Sequence, residues 1–328
     1  MRNACRVVPR RSGRSGTCRS HSHARTPPSD FRCCARRFLP SAFVGRASVI
    51  QAFLDSWPLF HNTYIAGWCL AALLSLVGLV IVARDQVFLG LAVSQASLLG
   101  VATGMWVGAT LAAFEPLSGE WGLSAWSIVF AMLGAAATAR PSGPGKETPE
   151  ARTGWVYVFS ASAAVLLLSR SPHGLEEVHR LLSSTIIGAR EADVVVFACL
   201  LAVTAAFAFA CRDQLALLMM DADMAGAVGL HVPRWNLALS LWAALVIGLA
   251  MRVSGLLFTF GSLVLPALVA KNLVREVRTM FWAAPCIALG STIVAFVLAN
   301  HYDFPPGQVA ACVEGGLLLV AWLARGRA

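Results

Sequence analysis

Residues 64–83 read YIAGWCLAALLSLVGLVIVA, twenty residues without a charge. A helix of that length rises about 30 Å, the thickness of the hydrocarbon layer of a bilayer. Eight further apolar stretches follow, at 87–113, 121–139, 154–169, 192–211, 235–251, 255–270, 280–299 and 308–323. In lipid a backbone must satisfy its own hydrogen bonds, so each stretch is expected to be a helix. The composition agrees: 57% of residues are hydrophobic and 13% charged, where a soluble domain carries roughly 25% charged. Mean hydropathy is +0.68. The fold class is therefore all-α, a polytopic membrane protein of eight to nine transmembrane helices. The lower count allows for the seventh stretch, which is short and contains Pro266.

The net charge of +9 is unevenly placed. Residues 1–46 hold eleven arginines, no lysine and one acid, Asp30; the rest keeps 15 of the 26 basic and 16 of the 17 acidic residues and is nearly neutral. The expected organisation is an Arg-rich leader over 1–46 and a membrane domain over 47–328. Three readings of the leader stand side by side: a transit-like segment, a basic arm for anionic partners, or translated upstream sequence with the start near Val44 or Val49. Four of the nine cysteines lie in the leader and the others are scattered through apolar segments, without metal-type spacing.

Basic residues in the links set the orientation. Arg84, then Arg140, Lys146 and Arg152, then Arg212 and Arg234, then Lys271, Arg275 and Arg278, alternate with poorer links, and the tail adds Arg325 and Arg327. Nine spans with an external N-terminus place the richer links in the cytoplasm. The link around Arg170, Arg180 and Arg190 runs against the trend, and so does the leader.

Within the second span Gly100, Gly104 and Gly108 share one helix face and suit close packing. Ser94 and Gln95 place polar groups at membrane depth, where such side chains face the bundle interior or a path for cargo. The link from Cys211 to Arg234 is the most informative loop. Asp221 or Asp223 can cap a short helix, the small residues Ala225, Gly226 and Gly229 follow, and Pro233 closes the element. A small-faced helix between two spans suits docking into a soluble partner; an ordinary capped connector has the same pattern. Externally, HGLEEVHR supplies His173, Glu176 and His179 as candidates for collecting metal at the mouth, with Glu176 and His179 at i, i+3. No GxxxxGK[ST] loop stands in the chain, so it is not itself an ATPase.

From Arg84 onward the chain resembles the permeases of zinc/manganese/iron-type metal ABC importers. Five stretches carry the resemblance, in order: RDQVFLGLAVSQASLLG (84–100), HRLLSSTIIGAREAD (179–193), DADMAGAVGLHVPR (221–234), MRVSGLLFTFGSLVLPALVA (251–270) and HYDFPPGQ (301–308). The resemblance implies the fold of a metal ABC permease, a homodimer in the inner membrane, a separate ATPase that uses the ATP, and an extracytoplasmic metal-binding protein. It implies no cofactor on this chain and no nucleic-acid partner. The segment 221–233 becomes the ATPase-coupling loop, and Leu91, Ser94 and Gln95 fall on the translocation path.

Two departures stand out. The family usually reads G-D-A-x-x-H in the second span, where the Asp and His resemble metal ligands; this chain has Leu91 and Gln95 there. Leucine cannot bind a cation, and a transition metal prefers imidazole, thiolate or carboxylate to an amide. Gly261 also stands where the family usually has Ser. The metal ligands are accordingly left unassigned. Rival readings are a permease of the same superfamily for a metal chelate or cobalamin-like cargo, and a secondary transporter, which the scarcity of ionisable groups in the spans disfavours.

Overall fold

The computed structural model describes residues 49–110, 120–139, 148–169 and 186–325. These residues form α1 (Val49–Ala83), α2 (Val87–Thr110), α3 (Glu120–Thr138), α4 (Pro149–Leu168), a 3-10 turn (Ile186–Gly188), α5 (Glu191–Ala210), α6 (Arg212–Met220), α7 (Ala222–Ala227), α8 (Val232–Leu273), α9 (Val277–Tyr302) and α10 (Pro306–Arg325). No strand occurs among the described residues. The leader, 1–46, lies outside them, as do His173, Glu176 and His179.

The 42-residue α8 is two crossings, not one. Gly255 sits at φ 74°, ψ 177°, a region essentially reserved for glycine. Ser240, before this residue, lines a small cavity with Asp85, and Lys271, after it, pairs with Asp85 at 3.5 Å. A straight helix holds two such positions about 46 Å apart. The chain therefore reverses at Gly255, giving an outer-going arm (232–254) and a returning arm (256–273). Pro266 is accommodated within the returning arm. With α3 included, the described residues contain nine crossing segments, matching the nine apolar stretches of the sequence.

The main difference from the sequence pattern is α1, which begins at Val49 rather than Tyr64. Asp55, Pro58, His61 and Asn62 break the apolar run, but the helix continues through Pro58. Rings hold this first part together: Phe53 packs on Tyr64 at 4.7 Å, and Trp57 lies 5.9 Å from both Tyr64 and Trp68.

Lipid tails are as apolar as leucine, so burial of apolar surface alone does not hold membrane helices together; close packing and polar links must do so. The helix α1 runs through the middle of the bundle, with Leu70, Leu73, Leu74 and Leu79 fully buried. At Gly78 a Cβ atom would lie 1.6 Å from the carbonyl oxygen of Leu263, so this crossing with the returning arm of α8 requires glycine. At Gly100 a Cβ would lie 2.4 Å from the Trp126 carbonyl of α3. The glycine face predicted in the second span is thus a packing face. By contrast α4 buries only one stripe, Thr153, Val156, Ser160, Ala164 and Leu168, and exposes Trp155, Val158, Phe159 and Leu166 as a peripheral helix does. Its start follows local rules, with Pro149 in the first turn and Thr148 Oγ1 accepting from Ala151 N at 3.2 Å.

Two tight corners are set by aspartates in the left-handed region, which Asp tolerates better than most residues. Asp85 (φ 53°) turns the chain between α1 and α2, with Gln86 N donating to Ile81 O at 3.0 Å. Asp303 (φ 54°) ends α9, with Phe304 N donating to Ala299 O at 3.0 Å, before Pro305 and Pro306.

Candidate translocation path and coupling elbow

The second span lies against α3, α4 and α8, meeting the returning arm where Gly90 faces Leu263 and Phe260. Ser94 and Gln95 are buried, at 1% and 6% exposure, and Leu91 is half-buried. Ser94 Oγ donates back to Gly90 O of its own helix at 2.8 Å. Ser97, one turn further on, is within 2.6 Å of Ser127 of α3, and Ser127 in turn donates to Gly248 O of α8 at 2.9 Å. This relay ties three helices together and gives Ser97 a packing role. Nowhere among the described residues do three His, Cys, Asp or Glu side chains gather as a metal cage. The Leu91/Gln95 face thus offers one amide and one hydroxyl to a cargo, too little for a tight transition-metal site.

At one end of the bundle the corner residues interlock. Lys271 reaches Asp85, Arg278 donates to Asp213 at 2.9 Å, and Arg325 donates to Asn272 Oδ1 at 3.0 Å. Arg84 is half-buried there, beside Gln86 and Ser240, and burial lowers its pKa from the ordinary value. An arginine keeps its charge under such a shift.

The loop after α5 also projects at this end. It is an elbow of two short helices, α6 and α7, broken at Asp221. The Asp221 carboxylate accepts from Asp223 N at 2.9 Å and Met224 N at 3.0 Å, so Asp221 is the cap and Asp223 is not. Ala225 is fully buried and anchors α7. Gly229 ends the element at φ 97°. A Cβ added at Gly226 or Gly229 would meet nothing within 4 Å, so neither glycine is demanded by packing inside the chain. Around them Met220, Met224 and Val228 are 76%, 55% and 69% exposed. The small-faced element expected from the sequence therefore carries an apolar rim as well, on a segment too polar to be a span.

At the opposite end, Asp193 lies in the first turn of α5 and reaches back to the N-cap, its carboxylate accepting from Arg190 N at 3.1 Å. Its other oxygen accepts from Arg252 at 2.7 Å. Arg252 stands three residues before the Gly255 turn, so this ion pair fastens the turn of α8 to the start of α5. The sequence pattern left the pair unread because 59 residues separate its members. A buried carboxylate inside α10, Glu314, was also missed; it lies within an otherwise apolar stretch, and that isolation was the available signal.

Among the described residues, eight crossings around a buried central ninth, with a capped elbow projecting between two of them, define a multi-pass membrane protein. Residues 56–325 match the ABC 3 transport family, and the chain belongs to that family. It is 22% identical over 262 residues to a probable iron transport system membrane protein of Haemophilus influenzae, an alignment covering 80% of this chain and 92% of that protein. It is likewise 22% identical over 262 residues to a probable metal transport system membrane protein of Thermotoga maritima, covering 79% of this chain and 88% of that one. Among solved structures, PsaBC from Streptococcus pneumoniae in complex with Fab superposes with a TM-score of 0.70 at 19% identity, over 83% of this chain and 95% of that one.

Proposed function

We propose that this chain is the permease subunit of an ABC importer that moves divalent metal ions (zinc, manganese or iron) into the cytoplasm, working as a homodimer with a separate ATPase and an extracytoplasmic metal-binding protein. The observation that carries the reading is the elbow of α6 and α7 in a chain of this family. Gly226 is free of contacts within the chain, and the exposed methionines and valine are suited to a groove on a soluble partner. ATP-driven closure of two ATPases moves the two elbows. The movement passes through Asp213–Arg278 to α9 and through His231 into α8, and the path alternates its opening. ATP is bound by the partner; this chain supplies the path.

Gly226→Trp tests the reading. A Cβ at Gly226 meets nothing within 4 Å, so insertion and folding should persist, while docking into the ATPase is blocked. Metal uptake should be lost and the ATPase should no longer co-purify. Normal uptake by this variant returns the elbow to the status of a connector.

A second reading has support of its own. The positions matching the family's Asp and His are Leu91 and Gln95, which leaves an uncharged face suited to a metal already wrapped in a chelator. Metal content of cells with and without the gene, with metals given free or chelated, separates the two cargoes.

A further inference from the structure

Glu314 lies near the middle of α10 and is 1% exposed. Its Oε1 accepts from Ser262 Oγ of the returning arm of α8 at 3.2 Å and from Ser291 Oγ of α9 at 3.4 Å. Its Oε2 is buried without a hydrogen-bond partner. Gly261 borders the carboxyl: a Cβ there would lie 3.5 Å from Oε2, an ordinary contact, and 3.2 Å from Ala311 Cβ, a tight one. The glycine thus serves the close approach of the returning arm to α10 at Ala311, beside this carboxyl.

A carboxylate in such surroundings needs a positive charge, since an unpaired buried charge costs many kcal/mol. Among the described residues, no basic side chain of the packed helices supplies it. On α8, Lys271 is nine residues from Ser262, about 13 Å along the helix, and is paired with Asp85; Arg252 lies beyond the Gly255 turn, paired with Asp193. On α9, His301 and Arg278 are about 15 Å and 20 Å from Ser291, and Arg278 is paired with Asp213. Arg275 and Glu276 lie further along the link between these helices. On α10, Arg325 is about 16 Å from Glu314 and donates to Asn272. The thiols of Cys286 and Cys312 belong to exposed positions.

We propose that Glu314, Ser262 and Ser291 form an intramembrane binding site for one monovalent cation, a proton or a sodium ion. One carboxylate and neutral hydroxyls balance a single charge. A divalent transition metal would remain half-neutralised on ligands it does not prefer. The site lies on another face of the returning arm than the one toward α1 and α2. Leu263 of the same arm packs toward Gly78 of α1 and Gly90 of α2, while its neighbour Ser262 faces α10. Occupancy joins α8, α9 and α10 through one centre. Its loss frees the arm of α8 that runs from the Gly255 turn to Lys271.

The test is modification of the purified full-length protein by a hydrophobic carbodiimide, read as mass added to the peptide containing Glu314. The carboxyl is labelled in its protonated form. Labelling that falls as sodium replaces choline at constant ionic strength identifies sodium as an occupant. Labelling that follows pH and ignores sodium identifies the proton. Labelling indifferent to both, or none at any pH while the unfolded protein is labelled, overturns the proposal. Thermal stability gives an independent reading: the wild-type Tm should rise with sodium or with mild acid, and E314Q should lose that response. Should E314Q fail to fold, the double variant S262A/S291A keeps the carboxyl and should need several-fold more sodium for the same protection or, with the proton as occupant, should show its acid response at higher pH because the hydroxyls that favour the carboxylate are gone; a response unchanged to both also overturns the site.

Discussion

The pair Asp193–Arg252 offers a quantitative test of how the α8 hairpin is held. Its nitrogen–oxygen distance is 2.7 Å, and the two side chains are only 11% and 22% exposed. At an effective dielectric constant of 20, two unit charges about 4 Å apart attract by roughly 4 kcal/mol. Desolvation of both ions and the residual exposure of Arg252 offset part of that, which leaves an expected coupling of about 2 kcal/mol. The single change Arg252→Ala should cost more, about 3 kcal/mol, because it strands a buried carboxylate. Asp193→Asn should cost less, since an amide oxygen still accepts from Arg190 N. Equilibrium unfolding of the two single variants and the double variant in mixed micelles closes the cycle. Additivity within about 0.5 kcal/mol would show that the two residues act independently and that the pair does not fasten the turn.

Three further outcomes follow from close contacts and from the path. Gly78→Leu should prevent assembly of the bundle, because even a Cβ would collide with the Leu263 carbonyl; an abundant, monodisperse variant with wild-type Tm would contradict the crossing geometry. Gly255→Ala should cost about 1–3 kcal/mol through backbone strain alone, read as a lower unfolding midpoint, and a neutral result would mean the turn is not held at φ 74°. The double variant Leu91→Asp with Gln95→His rebuilds an i, i+4 ligand pair and should change selectivity among zinc, manganese and iron in competitive uptake, more than either single change. Unchanged selectivity in a properly inserted protein removes this face from the cargo path.

The crossings were legible because lipid imposes one rule, a satisfied backbone under an apolar surface, and that rule is local in sequence. The double crossing hidden in α8 shows the same thing: Arg252 and Gly255 interrupt two apolar runs, and the structure turns there. The start of α1 was not legible, since rings at Phe53, Trp57, Tyr64 and Trp68 sustain a helix through residues whose hydropathy argues against one. The elbow could be read because caps and glycines also act locally, and Asp221 caps as its position suggested. The external candidates at His173, Glu176 and His179 lie outside the described residues and gain nothing from the geometry.

Residues far apart in the chain were the hard part. Asp193 and Arg252 meet across 59 positions, and Glu314 meets Ser262 across 52. A count of ionisable groups in the spans treats Glu314 as an isolated exception. In the bundle it is the centre of three helices. A Cβ at the neighbouring Gly261 would press on Ala311 of α10 at 3.2 Å, so this glycine sets how closely α8 and α10 approach beside the acid. This is the physical reason to seek the chain's particular properties on the far side of α8 as well as at Leu91 and Gln95.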